Sequence, residues 1–345
     1  MSKTVLITGG AGFIGSNFVK HLLDHHPEYR LVVVDQLTYA GSTDNLPPEF
    51  SPEHPAPHQF WYGNICNAEL MNTLVADADI VVHFAAESHV TRSIFDNQQF
   101  FQTDVMGSYV LANAVLKAGK RIERLIHIST SEVYGTAETE RMDENHPLNP
   151  MSPYASAKCG ADRLFYSYWA TYRIPMVIVR PFNNYGPRQH LEKVIPRFIV
   201  SGLTGMPMTV HGDGTAARDF VHVADHCRAL DQILHAPADQ VVGEVFNIAT
   251  DEHHSILDIA HDLTDIMGLT RESITYRGNR PGQVSRHTGN SDKLRARLGW
   301  KPTISWREGL EQTVAWYRAN PEWWKKQEWM RTVPIVTASG QVEFH

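Results

Sequence analysis

A tyrosine and a lysine four positions apart, Tyr154 and Lys158, have a spacing that could support proton transfer. On a helix, residues four apart lie on one face. Tyrosine has a pKa of about 10 in water and is a poor base at neutral pH, but a nearby ammonium group or a bound organic cation favours the phenolate. The phenolate could then take a proton from a substrate hydroxyl while hydride leaves the same carbon. The spacing Y-x-x-x-K alone also fits two exposed residues of an ordinary helix.

A glycine-rich segment near the N-terminus gives the tyrosine a context. Gly9, Gly12 and Gly15 follow the apolar residues 5–8 and open a helical pattern. The first glycine allows a sharp turn, the second lets backbone N–H groups approach a pyrophosphate, and the third lets helix and strand pack closely. Asp35 follows Gly15 by 20 positions. A carboxylate there accepts hydrogen bonds from a ribose diol and repels a 2′-phosphate, so the sequence favours NAD over NADP.

Alternating strand and helix patterns predict the scaffold that positions these groups. Apolar strand-like segments alternate with helical patterns at residues 12–24, 67–76 and 98–118, and they lie at 5–8, 31–35, 80–84, 125–128, 175–179 and 245–248. Continuous apolar strands are typical of parallel sheets covered on both faces. We therefore expect an α/β fold, a Rossmann-type doubly wound parallel sheet with a smaller C-terminal substrate-binding lobe.

The same pass along the chain predicts two domains. Residues 1–182 with about 219–250 would form the dinucleotide-binding domain, and about 183–218 with 251–345 the smaller lobe. The tail 321–345 holds three tryptophans, and we expect it to pack against the body or a partner, because free tails seldom carry so much aromatic surface.

Composition excludes several other classes. A net charge of −7 argues against a nucleic-acid partner. No run of about 18 apolar residues predicts a membrane helix, and no signal peptide is evident, so we expect a soluble, cytoplasmic protein. Three scattered cysteines indicate reduced thiols, and the spacing of the 19 histidines matches no metal motif, so no metal is expected.

These motifs, in this order, resemble the extended short-chain dehydrogenase/reductase family over nearly the whole chain. Within it, the sequence is most similar to nucleotide-sugar 4,6-dehydratases, above all those acting on dTDP-glucose. The segments that carry this resemblance are T-G-G-A-G-F-I-G-S-N at 8–17, L-T-Y-A-G at 37–41, A-A-E-S-H-V-T-R-S-I at 85–94, N-N-Y-G-P at 183–187, E-K at 192–193, R-D at 218–219 and R-P-G at 280–282.

The resemblance implies the site residues. The cofactor NAD would contact Gly9, Gly12, Phe13, Ile14, Gly15, Asp35, Leu37, Thr38, Gly41, Asn64, Ile65, Ala85, Ala86, Ser88, Thr103, Ser129, Tyr154 and Lys158. A dTDP-, UDP- or GDP-hexose would contact Ser88, Thr130, Asn183, Glu192, Lys193, Arg218, Asn247 and Arg280. Catalysis would rest on Thr130, Ser131, Glu132, Tyr154 and Lys158.

The implied reaction has three parts. Tyr154 and NAD oxidise C4 of the sugar, Glu132 removes the acidified C5 hydrogen as water leaves C6, and the stored hydride returns to C6. A second base is needed because Tyr154 is committed to C4, and Glu132 lies three positions past Ser129 at the end of a predicted strand.

The sequence departs from the resemblance at Ser131, where the dTDP-glucose enzymes carry an aspartic acid. Serine is a weak acid and cannot simply replace a carboxyl group. Three outcomes stay open: Glu132 acts as base and then acid, with Ser131 or a water relaying the proton; the substrate is another nucleotide sugar; or the enzyme is a UDP-glucuronate decarboxylase or a 4-epimerase. Arg280 could hold the carboxylate that a decarboxylase binds. A non-catalytic nucleotide-binding regulator is a more distant alternative.

Smaller departures are Asn64 and Thr91, at positions where the family has aspartate. An asparagine can still hydrogen-bond adenine through its amide, whereas nothing in the sequence explains Thr91. By the same resemblance we expect a homodimer, in which the helix beginning near Gln98 and the helix that carries Tyr154 and Lys158 pair with their copies in a four-helix interface.

Overall fold

The computed structural model describes residues 2–55, 57–278, 286–331, 334–336 and 342–344. Arg280, which the sequence suggested as a substrate ligand, lies outside the described residues, as do its neighbours Pro281 and Gly282.

The described residues contain sixteen strands. They are β1 (Thr4–Thr8), β2 (Arg30–Asp35), β3 (Gln59–Tyr62), β4 (Ile80–His83), β5 (Arg124–Ile128), β6 (Met176–Pro181), β7 (Asn183–Tyr185), β8 (Met208–His211), β9 (Ala217–Arg218), β10 (Phe220–His222), β11 (Val245–Ile248), β12 (His254–Ser255), β13 (Ile274–Arg277), β14 (Arg286–His287), β15 (Pro334–Val336) and β16 (Val342–Phe344).

Helices connect these strands and cover them. They are α1 (Phe13–His25), α2 (Ala68–Ala76), α3 (Val90–Phe95), α4 (Gln98–Phe100), α5 (Ser108–Ala118), α6 (Pro153–Tyr172), α7 (Val194–Thr204), α8 (Val223–His235), α9 (Ala238–Val241), α10 (Ile256–Met267), α11 (Asp292–Leu298), α12 (Trp306–Ala319) and α13 (Pro321–Lys325). A π-helical segment, Phe101–Gly107, joins α4 to α5, so that one continuous helix runs through residues 98–118 as predicted.

A seven-stranded parallel sheet forms the centre of the described chain, in the order β3-β2-β1-β4-β5-β6-β11. The chain leaves β1 toward one edge and returns beside β1 as β4, so the direction of winding reverses between these strands. In doubly wound sheets a ligand binds in the crevice at the carboxyl ends of the strands at such a reversal. The predicted Rossmann-type fold is confirmed.

Hydrophobic cores lie on both faces of this sheet, as the continuous apolar strands predicted. One core packs α1 and α8 against the sheet and includes Phe18, Leu22 and Leu230. The other packs α2, α5 and α6 against the opposite face and includes Leu111 and Phe165. This two-sided packing holds the strand ends rigidly beneath the crevice.

A third core lies outside the large sheet. It is formed by α7, α10 and α12 and includes Phe198, Leu263 and Tyr317. Small sheets flank it: β8 pairs with β13, while β9 lies between β12 and β14. Trp324 of α13 belongs to the same core, so the beginning of the tryptophan-rich tail packs against the body.

The one strand of the large sheet that the sequence did not predict is β3, at its edge. Its Phe60 is half-buried while its neighbours are exposed, so its apolar pattern is weak.

Within the described residues no helix combines the length and the apolar character needed to cross a membrane.

Candidate active site

A cavity of about 380 Å³ opens at the carboxyl ends of the central strands, within the size range of small-molecule sites. Most of the predicted cofactor residues line it: Gly9, Gly12, Phe13, Ile14, Gly15, Asp35, Thr38, Gly41, Ile65, Ala85, Ala86, Ser88, Thr103, Ser129, Tyr154 and Lys158. Of the predicted catalytic and substrate residues, the lining includes Thr130, Glu132, Asn183, Glu192 and Lys193. One cavity therefore brings together residues that are far apart in the sequence.

The glycine loop between β1 and α1 has the geometry that a pyrophosphate requires. Gly9 has a φ of 71° and lies so close to the next strand that a Cβ atom would come within 2.5 Å of the amide nitrogen of Ala85. A Cβ on Gly15 would clash with the carbonyl oxygen of Gly9. Gly12 begins α1 without a side-chain cap, which leaves the positive end of the helix open toward the cavity.

Asp35 fastens this loop to the end of β2. Its carboxylate accepts hydrogen bonds from the backbone N–H of Ala11 at 3.0 Å and of Leu37 at 2.8 Å. Burial raises the pKa of Asp35, while the backbone hydrogen bonds from Leu37 and Ala11 act in the opposite direction. A Cβ on Gly41 would lie 2.9 Å from an Asp35 oxygen, so this turn is built closely around the carboxylate. The arrangement fits the ribose of NAD.

Two predicted cofactor residues stand beside the cavity rather than in its lining. Leu37 adopts a φ of 53°, which aims its N–H at Asp35. Asn64 uses its side-chain oxygen to accept the N–H of Cys66 at 2.7 Å. Both residues make hydrogen bonds that involve backbone N–H groups, and these bonds shape the loops around the predicted cofactor site.

Tyr154 and Lys158 lie in the first turns of α6, on the face directed into the cavity. Ser152 caps this helix by accepting the N–H of Ala155. Lys158 is buried, and its ammonium donates to the carbonyl oxygen of Ile128 at 2.7 Å, at the end of β5. Lys158 thus joins α6 to the end of β5, the two elements that position the predicted catalytic residues.

The environment of Tyr154 raises the pKa of its phenol. Burial raises its pKa; a hydrogen bond with Thr130 opposes the rise, while the charges of Asp104, Glu132 and Glu192 add to it. Burial also lowers the pKa of Lys158, and the carboxylates of Asp104 and Asp162 counteract that effect. Burial and the nearby carboxylates thus favour the neutral phenol of Tyr154, whereas a positive charge placed near it would favour the phenolate.

Thr130 and Glu132 follow β5 in a short 3₁₀ turn, Ser131–Tyr134. The hydroxyl of Thr130 accepts the N–H of Glu132 at 3.2 Å and also bonds to Tyr154. One threonine side chain thus contacts both the phenol of Tyr154 and the backbone of Glu132.

Ser131 has a different orientation from its neighbours. It is 1% exposed, it is absent from the cavity lining, and its hydroxyl lies 3.5 Å from Nδ1 of His287. His287 is also buried, and burial followed by the charges of Arg218 and His146 lowers its pKa to about 3. Ser131 and His287 are thus both buried, and both lie outside the cavity lining.

Ser129, predicted as a cofactor contact, lines the cavity but donates its hydroxyl to Asp162 at 2.8 Å. Asp162 is held in turn by two hydrogen bonds from Arg180, at 2.9 and 3.0 Å. The buried ion pair of Asp162 and Arg180 is thus hydrogen-bonded to Ser129, directly after β5.

Glu192 and Lys193 lie at the opposite wall. The ammonium of Lys193 is 3.0 Å from Glu192 and donates to the carbonyl oxygen of Ser88 at 3.1 Å. Burial would raise the pKa of Glu192, but the charges of Lys193, His89 and His190 lower it to about 2. The carboxylate is therefore ionised and paired.

Sequence reasoning missed several groups of this wall and of the adjoining floor. Tyr39 bonds to Glu192 at 3.4 Å, and His89 and His190 flank the same carboxylate. Asp104 is buried and accepts the N–H of Glu87 at 2.8 Å. The motifs 37–41 and 85–94 pointed at Tyr39 and His89, whereas nothing in the sequence distinguished Asp104.

Two predicted substrate residues lie outside the cavity lining. Arg218, on β9, is close enough to Glu132 for their charges to interact. Asn247 is buried at the end of β11, where it accepts the hydroxyl of Tyr134 at 2.7 Å and donates to the carbonyl oxygen of Met142 at 3.0 Å. The side chain of Asn247 thus connects parts of the scaffold.

Comparison with known proteins agrees with this geometry. The family model described as GDP-mannose 4,6 dehydratase matches residues 6–313. The chain belongs to this family. Membership confirms the expected enzyme class, an NAD-dependent nucleotide-sugar 4,6-dehydratase on the short-chain dehydrogenase/reductase fold.

Individual relatives match over almost their whole length. The chain is 43% identical over 318 residues to the low-salt glycan biosynthesis protein Agl12 of Haloferax volcanii, covering 92% of this chain and 99% of that protein. It is 40% identical over 330 residues to a dTDP-glucose 4,6-dehydratase of Actinoplanes, covering 93% and 99%. The crystal structure of DesIV, a dTDP-glucose 4,6-dehydratase of Streptomyces venezuelae with NAD and TYD bound, superposes with a TM-score of 0.88 at 38% identity, covering 94% of this chain and all of that one.

Proposed function

We propose that this dehydratase converts a nucleoside-diphosphate glucose to the 4-keto-6-deoxy sugar. The observation that carries the proposal is that two separate proton-transfer groups, Tyr154 and Glu132, line one cavity with the NAD loop. A 4-epimerase removes hydride from C4 and returns it to the opposite face of the same carbon, so it does not need a second base at C5. A 4,6-dehydratase requires both groups.

Bound NAD would supply the hydride acceptor for C4 and the hydride donor for C6. Tyr154 takes the proton of the C4 hydroxyl as hydride leaves C4. When hydride returns to C6, C5 must regain a proton, and the proton held by Tyr154, passed directly or through water, balances the cycle. Lys158, buried and fixed to the end of β5, keeps a positive charge beneath the reacting groups. The hydroxyl of Thr130 bonds to both the phenol of Tyr154 and the backbone N–H of Glu132, and so keeps the two residues close together.

Glu132 takes the C5 proton and also protonates the departing C6 hydroxyl. The support for this double role is the orientation of Ser131, whose hydroxyl is buried against His287. Serine at this position neither carries an acidic proton nor lines the cavity, so we assign the acid role to the carboxyl group that has just gained a proton from C5.

The substrate diphosphate would be held by Lys193 and Asn183 of the cavity lining and by Arg218 beside it. Lys193 is tied to the backbone of Ser88, Arg218 lies near Glu132, and Asn183 contributes from the lining. Arg218 is suited to bidentate phosphate contacts through its planar guanidinium.

We propose dTDP-glucose as the first substrate to test, because the Actinoplanes relative and the Streptomyces venezuelae structure both carry that name. Purified enzyme would be incubated separately with dTDP-glucose, UDP-glucose, UDP-GlcNAc, GDP-mannose and UDP-glucuronate and followed by mass spectrometry. A product lighter by one water supports the proposal, and the nucleotide giving the highest kcat/KM identifies the base. Unchanged mass with inverted C4 would establish an epimerase, and loss of carbon dioxide from UDP-glucuronate would establish a decarboxylase.

We also propose a homodimer built on the helical segment 98–118 and on α6. Both carry large apolar side chains that are at least two-fifths exposed in the single chain, namely Phe101, Met106, Tyr109, Tyr166 and Tyr172. Such a surface favours burial against a second copy. Sedimentation at micromolar concentration should show a dimer that Met106→Asp weakens; a monomeric wild type would contradict the proposal.

The domain division and the location remain proposals as well. The separate core of α7, α10 and α12 supports a smaller lobe formed by residues 183–218 and 251–345, which would bind the nucleotide sugar. Leu294 and Trp300, however, pack in the core of the large sheet, so part of the second segment would belong to the dinucleotide-binding domain.

A cytoplasmic location is supported by three free cysteines.

A further inference from the structure

Three histidines and one aspartate meet where α1 and α8 end side by side, away from the catalytic cavity. His26 follows α1 directly, Asp231 and His235 lie four residues apart in α8, and His21 faces them from α1. Because α1 spans 13 residues and begins at the glycine loop, this cluster lies roughly 20 Å from the pyrophosphate site. The proposed dehydration reaction makes no use of it.

The carboxylate of Asp231 is the centre of the cluster. Its Oδ1 lies 2.9 Å from Nε2 of His26 and 2.7 Å from Nδ1 of His235, and its Oδ2 lies 2.9 Å from Nε2 of His21. The ligand atoms of His26, Asp231 and His235 all lie within 4.8 Å of one another. Three imidazole nitrogens therefore converge on one carboxylate.

We propose that this cluster is a binding site for a divalent transition-metal ion, with zinc as the best match. Zinc takes imidazole nitrogen and carboxylate oxygen in a tetrahedron. Bonds of about 2.0–2.2 Å place neighbouring ligand atoms roughly 3.3 Å apart, so the observed nitrogen–oxygen pairs need to separate by only about half an ångström. Calcium and magnesium prefer all-oxygen sites and fit poorly.

The neighbours of the cluster also resemble the outer shell of a metal site. The second ring nitrogen of His235 is 2.7 Å from the hydroxyl of Tyr29, and that of His26 is 3.8 Å from a carboxylate oxygen of Glu28. Histidines that bind metals are usually oriented by such a partner on the other nitrogen. When zinc occupies the inner nitrogens, the neutral ring of His235 keeps its proton on the outer nitrogen, where the hydroxyl of Tyr29 can accept it, and Glu28 lies near the outer nitrogen of His26.

The partial burial of the cluster suits a small ion better than a larger ligand. The side chains are 10% exposed for His21, 20% for Asp231, 21% for His26 and 37% for His235. Ions can enter along the side of His235, while the apolar residues of the core close the other side. Bound zinc would fasten α8 to the far end of the helix that begins at the cofactor loop.

The test uses full-length enzyme freed of metal with a chelator and then given zinc chloride alone. We expect one zinc per chain to remain after desalting, measured by mass spectrometry of the metal, and the unfolding temperature to rise by about 3 °C or more. Cobalt chloride in place of zinc should give the visible absorption bands of a tetrahedral site.

Asp231→Asn and His26→Gln should each weaken zinc binding at least tenfold. His25→Gln is the matched control, because His25 is the last residue of α1 and its ring bonds to the backbone of His21 rather than to Asp231. Dehydratase activity in the absence of added metal shows that each variant is folded. If the wild type retains no zinc, or if His26→Gln retains as much zinc as His25→Gln, the cluster is only a hydrogen-bonded network and the proposal is wrong.

Discussion

Trp323 donates its indole N–H to the side-chain oxygen of Asn45 at 2.7 Å, and this bond connects the C-terminal helix α13 to the cofactor loop. Asn45 is buried, and its amide donates in turn to the carbonyl oxygen of Ala11 at 2.7 Å, between Gly9 and Gly12. A residue near the end of the chain thus steadies the glycine loop through a single asparagine. In a reaction that returns its hydride, the cofactor is regenerated within each cycle, so tight retention of NAD is an advantage.

Trp323→Phe should therefore speed the loss of NAD. The substitution keeps an aromatic ring beside Trp316 but removes one hydrogen bond, which is typically worth about 1 kcal/mol. We expect roughly a fivefold faster dissociation of NAD, measured as the cofactor content of purified enzyme after timed dialysis. Trp329→Phe is the control, since that indole is 66% exposed; equal retention by both variants would show that the Asn45 bond does not hold the loop.

Glu132→Gln and Ser131→Ala should differ sharply in activity. If Glu132 serves C5 and C6 as we propose, removing its carboxylate should lower kcat by a factor on the order of 10³ or more, while oxidation of C4 persists and reduced cofactor accumulates at 340 nm in a single turnover. Removing the buried hydroxyl of Ser131, which does not line the cavity, should lower kcat less than about fivefold. A loss of kcat for Ser131→Ala as large as that for Glu132→Gln would make Ser131 a necessary relay.

The central sheet was predictable because its strands are apolar along their whole length. Residues 5–8 and 31–35 correspond to β1 and β2, and the helical pattern at 98–118 is one continuous helix. The edge strand β3 was missed because its side chains are largely exposed. The NAD loop was predictable for a similar reason: turn, helix start and acidic strand end are all local in sequence.

The details of the site depend on orientation, which sequence spacing does not encode. Thr130, Ser131 and Glu132 are consecutive, yet only the first and third line the cavity. The cluster around Asp231 shows the same limit, because His26 and His235 come together only where α1 packs against α8. Because these residues are far apart in the sequence, they form no recognisable metal-binding motif there.

Asp104→Asn should change how the enzyme responds to pH. Burial raises the pKa of Asp104 to about 7, although the charge of Lys158 opposes the rise. Because the folded protein holds this proton more tightly than the unfolded chain, the wild type loses stability as pH rises from about 4 to 7, by an amount on the order of 2–4 kcal/mol. Asparagine still accepts the N–H of Glu87, so urea unfolding of the variant should show a smaller loss over this range.

The same substitution should act on catalysis. The charge of Asp104 is one of the causes that raise the pKa of Tyr154, so its removal should shift the acidic limb of the kcat profile to lower pH. A kcat profile and an unfolding profile that both coincide with those of the wild type would show that Asp104 does not ionise in the native enzyme.

Asp162→Asn should destabilise the enzyme by about 3–5 kcal/mol, because it leaves the buried guanidinium of Arg180 without its counter-ion. Burial alone would raise the pKa of Asp162, but the hydrogen bonds and charge of Arg180 lower it overall. The carboxylate therefore contributes stability above its unfolded pKa of about 4, and this contribution is lost as pH falls further. Urea unfolding at pH 7.5 and at about pH 3, below the unfolded pKa, should show the difference between wild type and variant shrinking at the lower pH. Arg163→Gln, which removes the more exposed partner of Asp162, should cost less than about 1 kcal/mol; an equal cost would mean that the surface arginine, rather than Arg180, holds the carboxylate beneath Ser129.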